Sequence, residues 1–405
     1  MTPELAEQSQ PRILLFTGKG GVGKTTSAAG TATLAARAGK RTLILSTDAA
    51  HSLGDAFGTP IGAEPTEVAP LLSVQQVDAQ RRFERSWADI QNYLVSVLRT
   101  VGVDPITAEE LTVIPGAEEV LALLELRQHA LSSRWDVIVV DCAPTAETLR
   151  LLALPEALSW YFTRVFGVQR KVVKALRPVL NRAAGVPMPG DDVFDAISRL
   201  HIELDEVQQI LSGPRASVRL VLTPEAVVVA EARRSLTTLS LYGYRVDGVI
   251  ANRVFPRSDD PWMAGWASAQ ARVLDEVRDS FGAVPIWLSA YQGGEPVGPD
   301  ALVDLVTAAY GDSDPLAVPV GPEPLDVRLS DSGAVLRIAL PFATRADVDL
   351  ARHGDELVVT VGSYRRLLAL PAALARLRVA GARVDAGALQ VRFVSVNPAS
   401  DEEGR

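Results

Sequence analysis

The sequence is poor in cysteine and methionine. It has one cysteine, Cys142, and three methionines among 405 residues. A single cysteine excludes an internal disulfide framework and any zinc site built from cysteine pairs of one chain, so no zinc is expected. The scarcity of methionine argues against a surface of flexible methionine side chains, which proteins often use to bind varied apolar partners.

Long apolar runs and a basic leader are also missing. No uncharged apolar run reaches the length of about 18 residues that would predict a transmembrane helix. Residues 1–10 contain neither the basic region nor the apolar region of a secretory signal. The sequence therefore predicts a cytoplasmic protein, with residues 1–11 as a flexible N-terminal segment.

Positive charge is in deficit. The chain has 40 Lys and Arg residues against 49 Asp and Glu residues, a formal net charge of -9. This balance argues against broad nucleic-acid binding, so no nucleic-acid partner is expected. A hydrophobic fraction of 47% is typical of a globular protein with a large core. The length suggests about two or three domains.

Buried strands and helices alternate through most of the chain. Continuous apolar runs, separated by helical stretches, occupy residues 12–17, 41–46, 135–141, 218–223, 248–252 and 284–288. Such alternation is typical of an α/β fold, here a doubly wound and mainly parallel sheet with helices on both faces. We expect this domain to span residues 12–314.

Amphipathic helices interrupt this alternation at about 83–125 and 151–215 and predict a helical subdomain. The simpler interpretation is that these helices pack on the sheet. The alternative is a hydrophobic groove that holds apolar client segments. The candidate surface of that groove is the cluster Trp160, Tyr161, Phe162 and Phe166. The basic helix 164–177 would suit either a solvated face or contact with an anionic membrane surface.

A change of pattern after residue 314 predicts a second domain. Residues 315–324 are proline-rich, which favours an extended linker. Short alternating segments follow at 325–329, 335–340, 357–361, 366–370 and 389–394. They predict a small all-β sandwich over residues 325–395, with residues 396–405 as a disordered tail.

A glycine-rich loop joins the first strand to the first helix. Its sequence, Gly18-Lys19-Gly20-Gly21-Val22-Gly23-Lys24-Thr25, fits the pattern G-x-x-x-x-G-K-[ST]. The glycines let backbone N–H groups turn towards phosphate oxygens, and the helix N-terminus adds partial positive charge. Lys24 would reach the β- and γ-phosphates, while the hydroxyl of Thr25, with Thr26 nearby, would bind Mg²⁺. The loop therefore predicts ATP and Mg²⁺ as cofactors.

A second lysine, Lys19, stands at the second position of this motif. The form G-K-G-G-V-G-K-T resembles the deviant Walker A class, which includes arsenical pump-driving ATPases, tail-anchored-protein targeting ATPases, partition ATPases and nitrogenase iron protein. In that class the extra lysine reaches the nucleotide of the partner subunit. The resemblance implies an ATP-dependent homodimer in which Lys19 joins Lys24 as a catalytic residue. Taken alone, Lys19 could simply be solvated.

The segment after the second strand resembles a switch. Asp48-Ala49-Ala50-His51-Ser52-Leu53-Gly54-Asp55-Ala56-Phe57 is similar to the string D-P-A-H-x-L-x-D-A-F of the arsenical pump and tail-anchored-targeting family. Ala49 stands where proline is usual. The resemblance implies that Asp48 positions the attacking water and lies at the metal site. From the residues alone, Asp48 could equally cap a helix.

A second switch follows the strand at 135–141. Asp141-Cys142-Ala143-Pro144-Thr145-Ala146-Glu147-Thr148-Leu149-Arg150 resembles the string D-T-A-P-T-G-H-T-L-R, with Ala146-Glu147 in place of Gly-His. The resemblance implies that Asp141 holds Mg²⁺ through water. Asn252-Arg253 and the segment from Pro285 to Gly298 resemble segments of the same family that lie near the adenine of the nucleotide. We therefore expect Asn252, Arg253 and Pro285 to contact the base.

Residues 325–395 resemble the α-crystallin-like sandwich of small heat-shock proteins. The resemblance rests on residues 362–371 and on the pattern A-x₄-G-x-L-x-V-x-F at 382–393. The I-x-I tail that links small heat-shock dimers is absent. An ATPase joined to this domain is typical of the bacterial and plastid branch of the targeting family.

Together the motifs predict a Mg-ATP-dependent homodimeric ATPase that couples hydrolysis to binding and release of an apolar polypeptide or membrane-protein client. One alternative is an arsenite or anion transport ATPase, which the single P-loop and the lack of cysteines beyond Cys142 disfavour. A second alternative is a dimeric scaffold that ATP locks with negligible turnover. The acidic charge opposes a third, a DNA-partition ATPase.

Overall fold

The computed structural model describes residues 10–48, 52–77, 117–145, 147–149, 152–153, 191–330 and 333–395. Most of the predicted helical subdomain lies outside these residues, including the cluster Trp160, Tyr161, Phe162 and Phe166. The basic helix 164–177 and the tail 396–405 also lie outside them. Within the described chain, no helix has the length and apolar character needed to cross a membrane.

The chain forms two compact units. The first unit contains the chain up to Ile13 together with Ala28–Arg215 and Val297–Val303. The second unit contains Leu14–Ser27, Ala216–Pro296 and the chain from Asp304 onwards. The second unit thus groups the P-loop with the C-terminal β strands.

A large sheet and its helices occupy residues 12–310. The strands are β1 (Arg12–Thr17), β2 (Thr42–Ser46), β3 (Thr66–Ala69), β4 (Leu72–Gln76), β5 (Val137–Asp141), β6 (Ala216–Leu222), β7 (Val246–Val254) and β8 (Ile286–Ala290). The helices are α1 (Lys24–Arg37), α2 (Ser52–Phe57), α3 (Ala117–Leu131), α4 (Asp191–Ser212), α5 (Ala226–Leu241), α6 (Pro261–Phe281) and α7 (Pro299–Tyr310).

The strand order of this sheet is β3-β4-β2-β5-β1-β6-β7-β8. β2 pairs in parallel with β4 and β5, β7 pairs in parallel with β6 and β8, and β3 pairs antiparallel with β4. Every residue of β1, β2 and β5 is buried, because helices cover both faces of a sheet whose strands are apolar runs. This architecture confirms the predicted doubly wound, mainly parallel α/β fold.

The prediction missed β3 and β4. β3 is half-exposed, and β4 carries Ser73, Gln75 and Gln76 among its five residues. Neither strand has the continuous apolar run that revealed its neighbours. Their positions were therefore decided by pairing with β2 and not by local pattern.

The described part of the predicted helical subdomain is α3 and α4, which pack on each other. Val120 of α3 joins Leu200 and Leu204 of α4 in one buried cluster. Arg127 of α3 also pairs with Glu206 of α4. The described apolar stripe of α4 is thus buried against α3.

The C-terminal domain consists of two antiparallel sheets. Its strands are β9 (Leu325–Ser330), β10 (Gly333–Ala339), β11 (Val348–His353), β12 (Glu356–Val361), β13 (Tyr364–Ala369), β14 (Arg378–Asp385) and β15 (Ala388–Val394). A 3₁₀ turn (Arg345–Asp347) precedes β11, and a short helix, α8 (Ala372–Ala375), precedes β14. One sheet has the order β14-β15-β10-β9 and the other β11-β12-β13. The predicted all-β character is confirmed.

The sequence pattern revealed five of these strands and missed β11 and β14. β14, with the sequence RVAGARVD, has few apolar residues, and its pairing with β15 shifts between Val379 and Gly381. A β-bulge of this kind breaks the alternation on which strand prediction depends. β11 alternates its burial, but its more buried positions include Arg352 as well as Val348 and Leu350, so its apolar alternation is incomplete.

The β domain is anchored on α5. Leu241 at the end of α5 is 0% exposed and belongs to the hydrophobic core of the β domain. Arg366 of β13 donates to the Leu241 carbonyl, and the Tyr242 hydroxyl donates to the Arg365 carbonyl over 3.3 Å. These contacts join the β domain to the helix between β6 and β7.

The proline-rich linker is fixed to the same unit. Arg245 donates to the Pro319 carbonyl over 3.0 Å, and Arg219 donates to the Pro315 carbonyl over 2.9 Å. The Arg219 side chain is 2% exposed and also binds Asp247 and the Tyr310 hydroxyl. The linker is therefore held along the protein surface by hydrogen bonds to its carbonyl groups.

Candidate functional site

The P-loop belongs to the second unit and connects β1 to α1. A Cβ atom at Gly18 would lie 2.1 Å from the Val221 carbonyl oxygen of β6. A Cβ atom at Gly23 would lie 2.2 Å from the Asn252 amide nitrogen, and Gly23 has a φ of +95°. Only glycine can occupy either position without moving a neighbouring strand or side chain. The loop thus has the tight path that a phosphate cradle needs.

Lys24 begins α1 and closes the loop. Its side chain is buried, and its Nζ atom donates to the Lys19 carbonyl over 3.2 Å. Lys19 is half-buried, and Gly20 and Gly21 are exposed. The amine of Lys24 therefore lies inside the turn, whereas the neighbouring residues form its open rim.

The loop fits a nucleotide. The hydroxyl of Thr17, the last residue of β1, is buried without a hydrogen-bond partner in the described chain. Buried polar groups normally have partners, so this hydroxyl is suited to a ligand at the loop. The N–H groups at the start of α1 and the Lys24 amine supply the donors that a triphosphate requires. Thr25 and Thr26 occupy the first turn of α1 and are half-buried.

Asn252, predicted to read the base, braces the P-loop. It is 6% exposed at the carboxyl end of β7, and its amide nitrogen donates to the Val22 carbonyl over 2.9 Å. The backbone after it is shaped by Gln270 of α6, which donates to the Arg253 carbonyl and accepts from the Phe255 N–H. Arg253 has a φ of +57° and is exposed. Contact of Asn252 and Arg253 with adenine stays a prediction.

Contact of Pro285 with the base also stays a prediction. Pro285 precedes β8, and its carbonyl accepts from the N–H of Val249, the fourth residue of β7. β7 and β8 are parallel, whereas Asn252 contacts the P-loop at the carboxyl end of β7. The later part of the same segment reaches the P-loop edge, because the Tyr291 N–H donates to the Val254 carbonyl.

An aromatic cluster at this edge was missed from the sequence. It consists of Phe255, Trp262, Trp266 and Tyr291. Phe255 and Tyr291 stack with centroids 5.1 Å apart, and Trp266 lies 6.3 Å from Phe255. Trp262, Trp266 and Tyr291 are 68%, 50% and 51% exposed, so they do not serve the core. The available signal was the i, i+4 spacing of two tryptophans next to the asparagine motif.

Asp48 belongs to the first unit and follows β2. Its carbonyl accepts from the Gln76 side chain over 2.7 Å, and its N–H donates to the Ser46 hydroxyl over 3.2 Å. Gln76 ends β4 and is 5% exposed, so a buried amide fixes the backbone of the switch. Gln76 was missed because β4 itself was missed.

Asp141 is the last residue of β5 and is 0% exposed. Its carbonyl accepts from the Thr47 N–H over 3.0 Å, which connects the second switch to the residue before Asp48. Beyond it the chain turns at once, because the Thr148 hydroxyl donates to the Ala143 carbonyl over 2.6 Å. A carboxylate buried so completely at a strand end suits a cation ligand held through water.

Comparison with known proteins agrees with these motifs. A family model described as "Anion-transporting ATPase" matches residues 11–311, and a model of the HSP20-like domain found in ArsA matches residues 331–393. The chain is 40% identical over 385 residues to an uncharacterized protein of Streptomyces coelicolor. The aligned residues are 94% of this chain and 97% of that protein.

Two further relatives carry functional names. The "Putative arsenical pump-driving ATPase" of Chlorobaculum tepidum is 36% identical over 369 residues, which are 90% of this chain and 91% of that protein. The "ATPase ASNA1 homolog 1" of Paramecium tetraurelia is 25% identical over 290 residues, which are 70% and 88% of the two chains. The chain therefore belongs to the ArsA-type anion-transporting ATPase family, and it is an ATPase with a C-terminal HSP20-like domain.

Proposed function

We propose that this ATPase hydrolyses Mg-ATP as an ATP-dependent homodimer and uses the cycle to bind and release an apolar polypeptide or membrane-protein client. The observation that supports this most directly is the P-loop, in which Lys24 closes on the Lys19 carbonyl and Asn252 braces Val22. When bound, Mg²⁺ would supply positive charge to the transferring phosphoryl group.

The residues divide the chemistry between them. Lys24 and the N–H groups of the loop would hold the phosphates. The Thr25 hydroxyl would be a Mg²⁺ ligand, and Asp141 would hold the ion through water. Asp48 would orient the attacking water, because phosphoryl transfer needs mainly positioning and charge stabilisation.

Hydrogen bonds connect the two switches to each other within the first unit. Thr47 is bonded to the Asp141 carbonyl, and the next residue, Asp48, is bonded to Gln76 of β4. A shift of the Asp141 backbone would therefore move the segment that carries Asp48. Such a mechanical link is what a nucleotide-dependent client cycle requires.

Lys19 would act in the partner subunit. Its carbonyl is held by Lys24, while its side chain starts at the exposed rim of the loop beside Gly20. An amine at this rim can extend away from its own loop towards a facing copy. Each nucleotide would then be enclosed by two chains.

A client role is supported by the HSP20-like domain and by the ASNA1-type relative, and not by an exposed groove among the described residues. The described stripe on α4 is packed against α3. The candidate client surface therefore stays the predicted cluster Trp160, Tyr161, Phe162 and Phe166, which lies outside the described residues.

Mixing two inactive variants tests the central proposal. Lys19→Ala and Asp48→Asn should each abolish turnover alone while still binding ATP. In a mixed dimer, the site of the Lys19→Ala chain keeps its own Asp48 and receives Lys19 from the Asp48→Asn chain. Random mixing should then restore about a quarter of wild-type turnover, because half of the dimers carry one intact site of two.

The same mixture can reject the proposal. If the variants are each inactive, form mixed dimers and no turnover returns, Lys19 acts within its own chain. If the ATP-loaded wild type is monomeric by light scattering, the dimer itself is wrong. Wild-type turnover at the spontaneous rate of ATP hydrolysis would favour the ATP-locked scaffold.

Arsenite-stimulated transport is the second candidate, favoured by the name of the Chlorobaculum tepidum relative. Against it, the single cysteine, Cys142, is 2% exposed at the end of β5. Arsenite should leave turnover unchanged. Stimulation that disappears in the Cys142→Ser variant would instead establish the metalloid function.

A further inference from the structure

The four-stranded sheet of the β domain carries a concentration of arginine on its outer face. Residues 325–395 contain ten Arg against seven Asp and Glu, in a chain whose formal net charge is -9. The sign of the net charge in this domain is therefore opposite to that of the whole chain. Most of its carboxylates lie on or beside the other sheet, in the segments 347–349 and 355–356.

Strand register assembles the arginines on one face. In β10 the side chains of Ala334, Leu336 and Ile338 enter the core, so Val335 and Arg337 face outwards. Val335 pairs with Arg328 on one side and with Arg392 on the other. In the next row Arg337 pairs with Gln390, which pairs with Arg383.

The set that shares this face is called the arginine face below. It consists of Arg328, Arg337, Arg378, Arg383 and Arg392. Four of them are exposed, and Arg337 is half-buried. Two carboxylates share the face: Asp326 is bonded to Arg328 over 2.8 Å, and Asp385 lies in the last row beside Ala388. Positive charge therefore exceeds negative charge on this face.

The centre of the arginine face is shallow and partly organised. A groove of about 430 Å³ is lined by Val335, Gly381, Ala382, Arg383, Gln390 and Arg392. Gln390 accepts hydrogen bonds from Arg383 over 2.9 and 3.2 Å, so this guanidinium is held in place. The lining residues are small or polar apart from Val335, and they leave no deep apolar pocket for a peptide side chain.

The shape and chemistry of the arginine face favour one class of polyanionic ligand over the others. The strands of this sheet place no aromatic side chain on the arginine face, since Phe393 is in the core, so nucleobases would have no stacking platform there. One of the two edge strands, β14, is interrupted by its bulge at Val379 and Gly381, which hinders pairing with an extended peptide at that edge. The guanidinium groups instead spread in two dimensions over four strands about 4.8 Å apart.

We propose that the arginine face binds the anionic phospholipid surface of a membrane. Lipid phosphates form a planar layer of negative charge, and each guanidinium can bind phosphate oxygens with two parallel hydrogen bonds. An array of arginines spread over four strands complements that layer better than it complements a linear acidic peptide. The binding is independent of ATP turnover.

Vesicle co-sedimentation of the full chain tests the proposal. The wild type should bind vesicles of phosphatidylcholine mixed with phosphatidylglycerol, should bind pure phosphatidylcholine much less, and should be released by added salt. Each arginine near an anionic surface contributes about a fivefold gain in binding. The double change Arg383→Glu with Arg392→Glu should therefore weaken binding at least about 25-fold.

Two controls separate the surface from net charge and from misfolding. Arg272→Glu with Arg278→Glu alters the net charge equally but lies on the exposed side of α6, so it should retain most of the binding. Arg383→Lys with Arg392→Lys keeps the charge and should also retain most of it. A folding defect at these sites would lower binding in the lysine variant as well.

Three results would overturn the proposal. The first is equal binding of the wild type to neutral and anionic vesicles. The second is an equal loss in the α6 control pair. The third is retention of polyglutamate by the arginine face when anionic vesicles do not bind, which would make this face a site for an acidic polypeptide.

Discussion

The P-loop and the arginine face are both phosphate-binding candidates, yet the sequence specifies them in different ways. The P-loop is eight consecutive residues whose tight path is set by Gly18 and Gly23. The arginine face collects five side chains from residues 328 to 392 through strand register. A contiguous loop can be recognised from a motif, whereas a face exists only once its strands have paired.

The two regions should also differ in their tolerance of substitution. The P-loop approaches β6 and Asn252 so closely that one added methyl group must displace them. The arginine face is exposed, so single changes there should alter binding while leaving the fold intact. The following predictions test that contrast, from the largest expected effect to the smallest.

Gly18→Ala should have the largest effect. Its Cβ atom would stand 2.1 Å from the Val221 carbonyl oxygen, so the P-loop or β6 must move. A misplacement of about 1 Å can reduce catalysis by about 100-fold, and we expect at least that loss of steady-state ATP turnover. The stabilising shift of the melting temperature by ATP should also be lost.

Gly265→Ala is the matched control for this methyl group. Gly265 lies in α6, and a Cβ atom there would meet no heavy atom within 4 Å. Alanine in a helix interior should raise the free energy of unfolding by about 0.5–1 kcal/mol and leave turnover unchanged. Normal turnover in Gly18→Ala would show that the loop is not as tightly packed as the structure indicates.

Arg219→Met should lower the free energy of unfolding, because it removes contacts that hold the linker within the second unit. Arg219 binds Asp247, the Tyr310 hydroxyl and the Pro315 carbonyl, and its guanidinium lies 4.6 Å from the Trp287 ring centroid. Removing one partner of a buried ion pair costs about 3–5 kcal/mol, because the other charge is left buried. Urea unfolding should report this loss.

Arg278→Met provides the comparison for Arg219. Arg278 pairs with Asp275 on the exposed surface of α6. Its loss should change the free energy of unfolding by less than about 1 kcal/mol, as is usual for exposed pairs. Equal effects of the two substitutions would mean that the buried cluster is not stabilising.

Leu241→Ala should loosen the β domain from α5. Leu241 is 0% exposed within the core of the β domain, so the change creates a cavity and should cost about 2–5 kcal/mol. Hydrogen exchange in β10 and β13 should accelerate. Ile202→Ala, at a 57% exposed position of α4, should cost much less. An unchanged exchange rate in the β domain would contradict the anchoring role of Leu241.

The smallest expected effect concerns Asp136. Its hydrogen bonds with Arg41 hold its pKa below the ordinary value for an aspartate. A lowered pKa in the folded state gives stability that is fully present above the unfolded-state pKa and is lost as the pH falls through the folded-state pKa. The stability advantage of the wild type over Arg41→Ala should therefore shrink in acid. An advantage that stays constant with pH in urea unfolding would exclude this linkage.

The sequence indicated candidate site residues most readily where they are consecutive in one motif. The P-loop, Asp48 and Asp141 were found as motifs at the ends of apolar strands. Gln76 and Gln270 were missed, because each acts on a backbone segment that is distant in the chain.

The sequence by itself determined the α/β class, the nucleotide loop and the presence of a β domain, because each is encoded by local apolar pattern or by a contiguous motif. The tertiary structure alone decided which residues brace the P-loop, how α5 holds the β domain and which arginines share a face. These features depend on strand order and register, in which residues far apart in the chain become neighbours only after long-range pairing has formed.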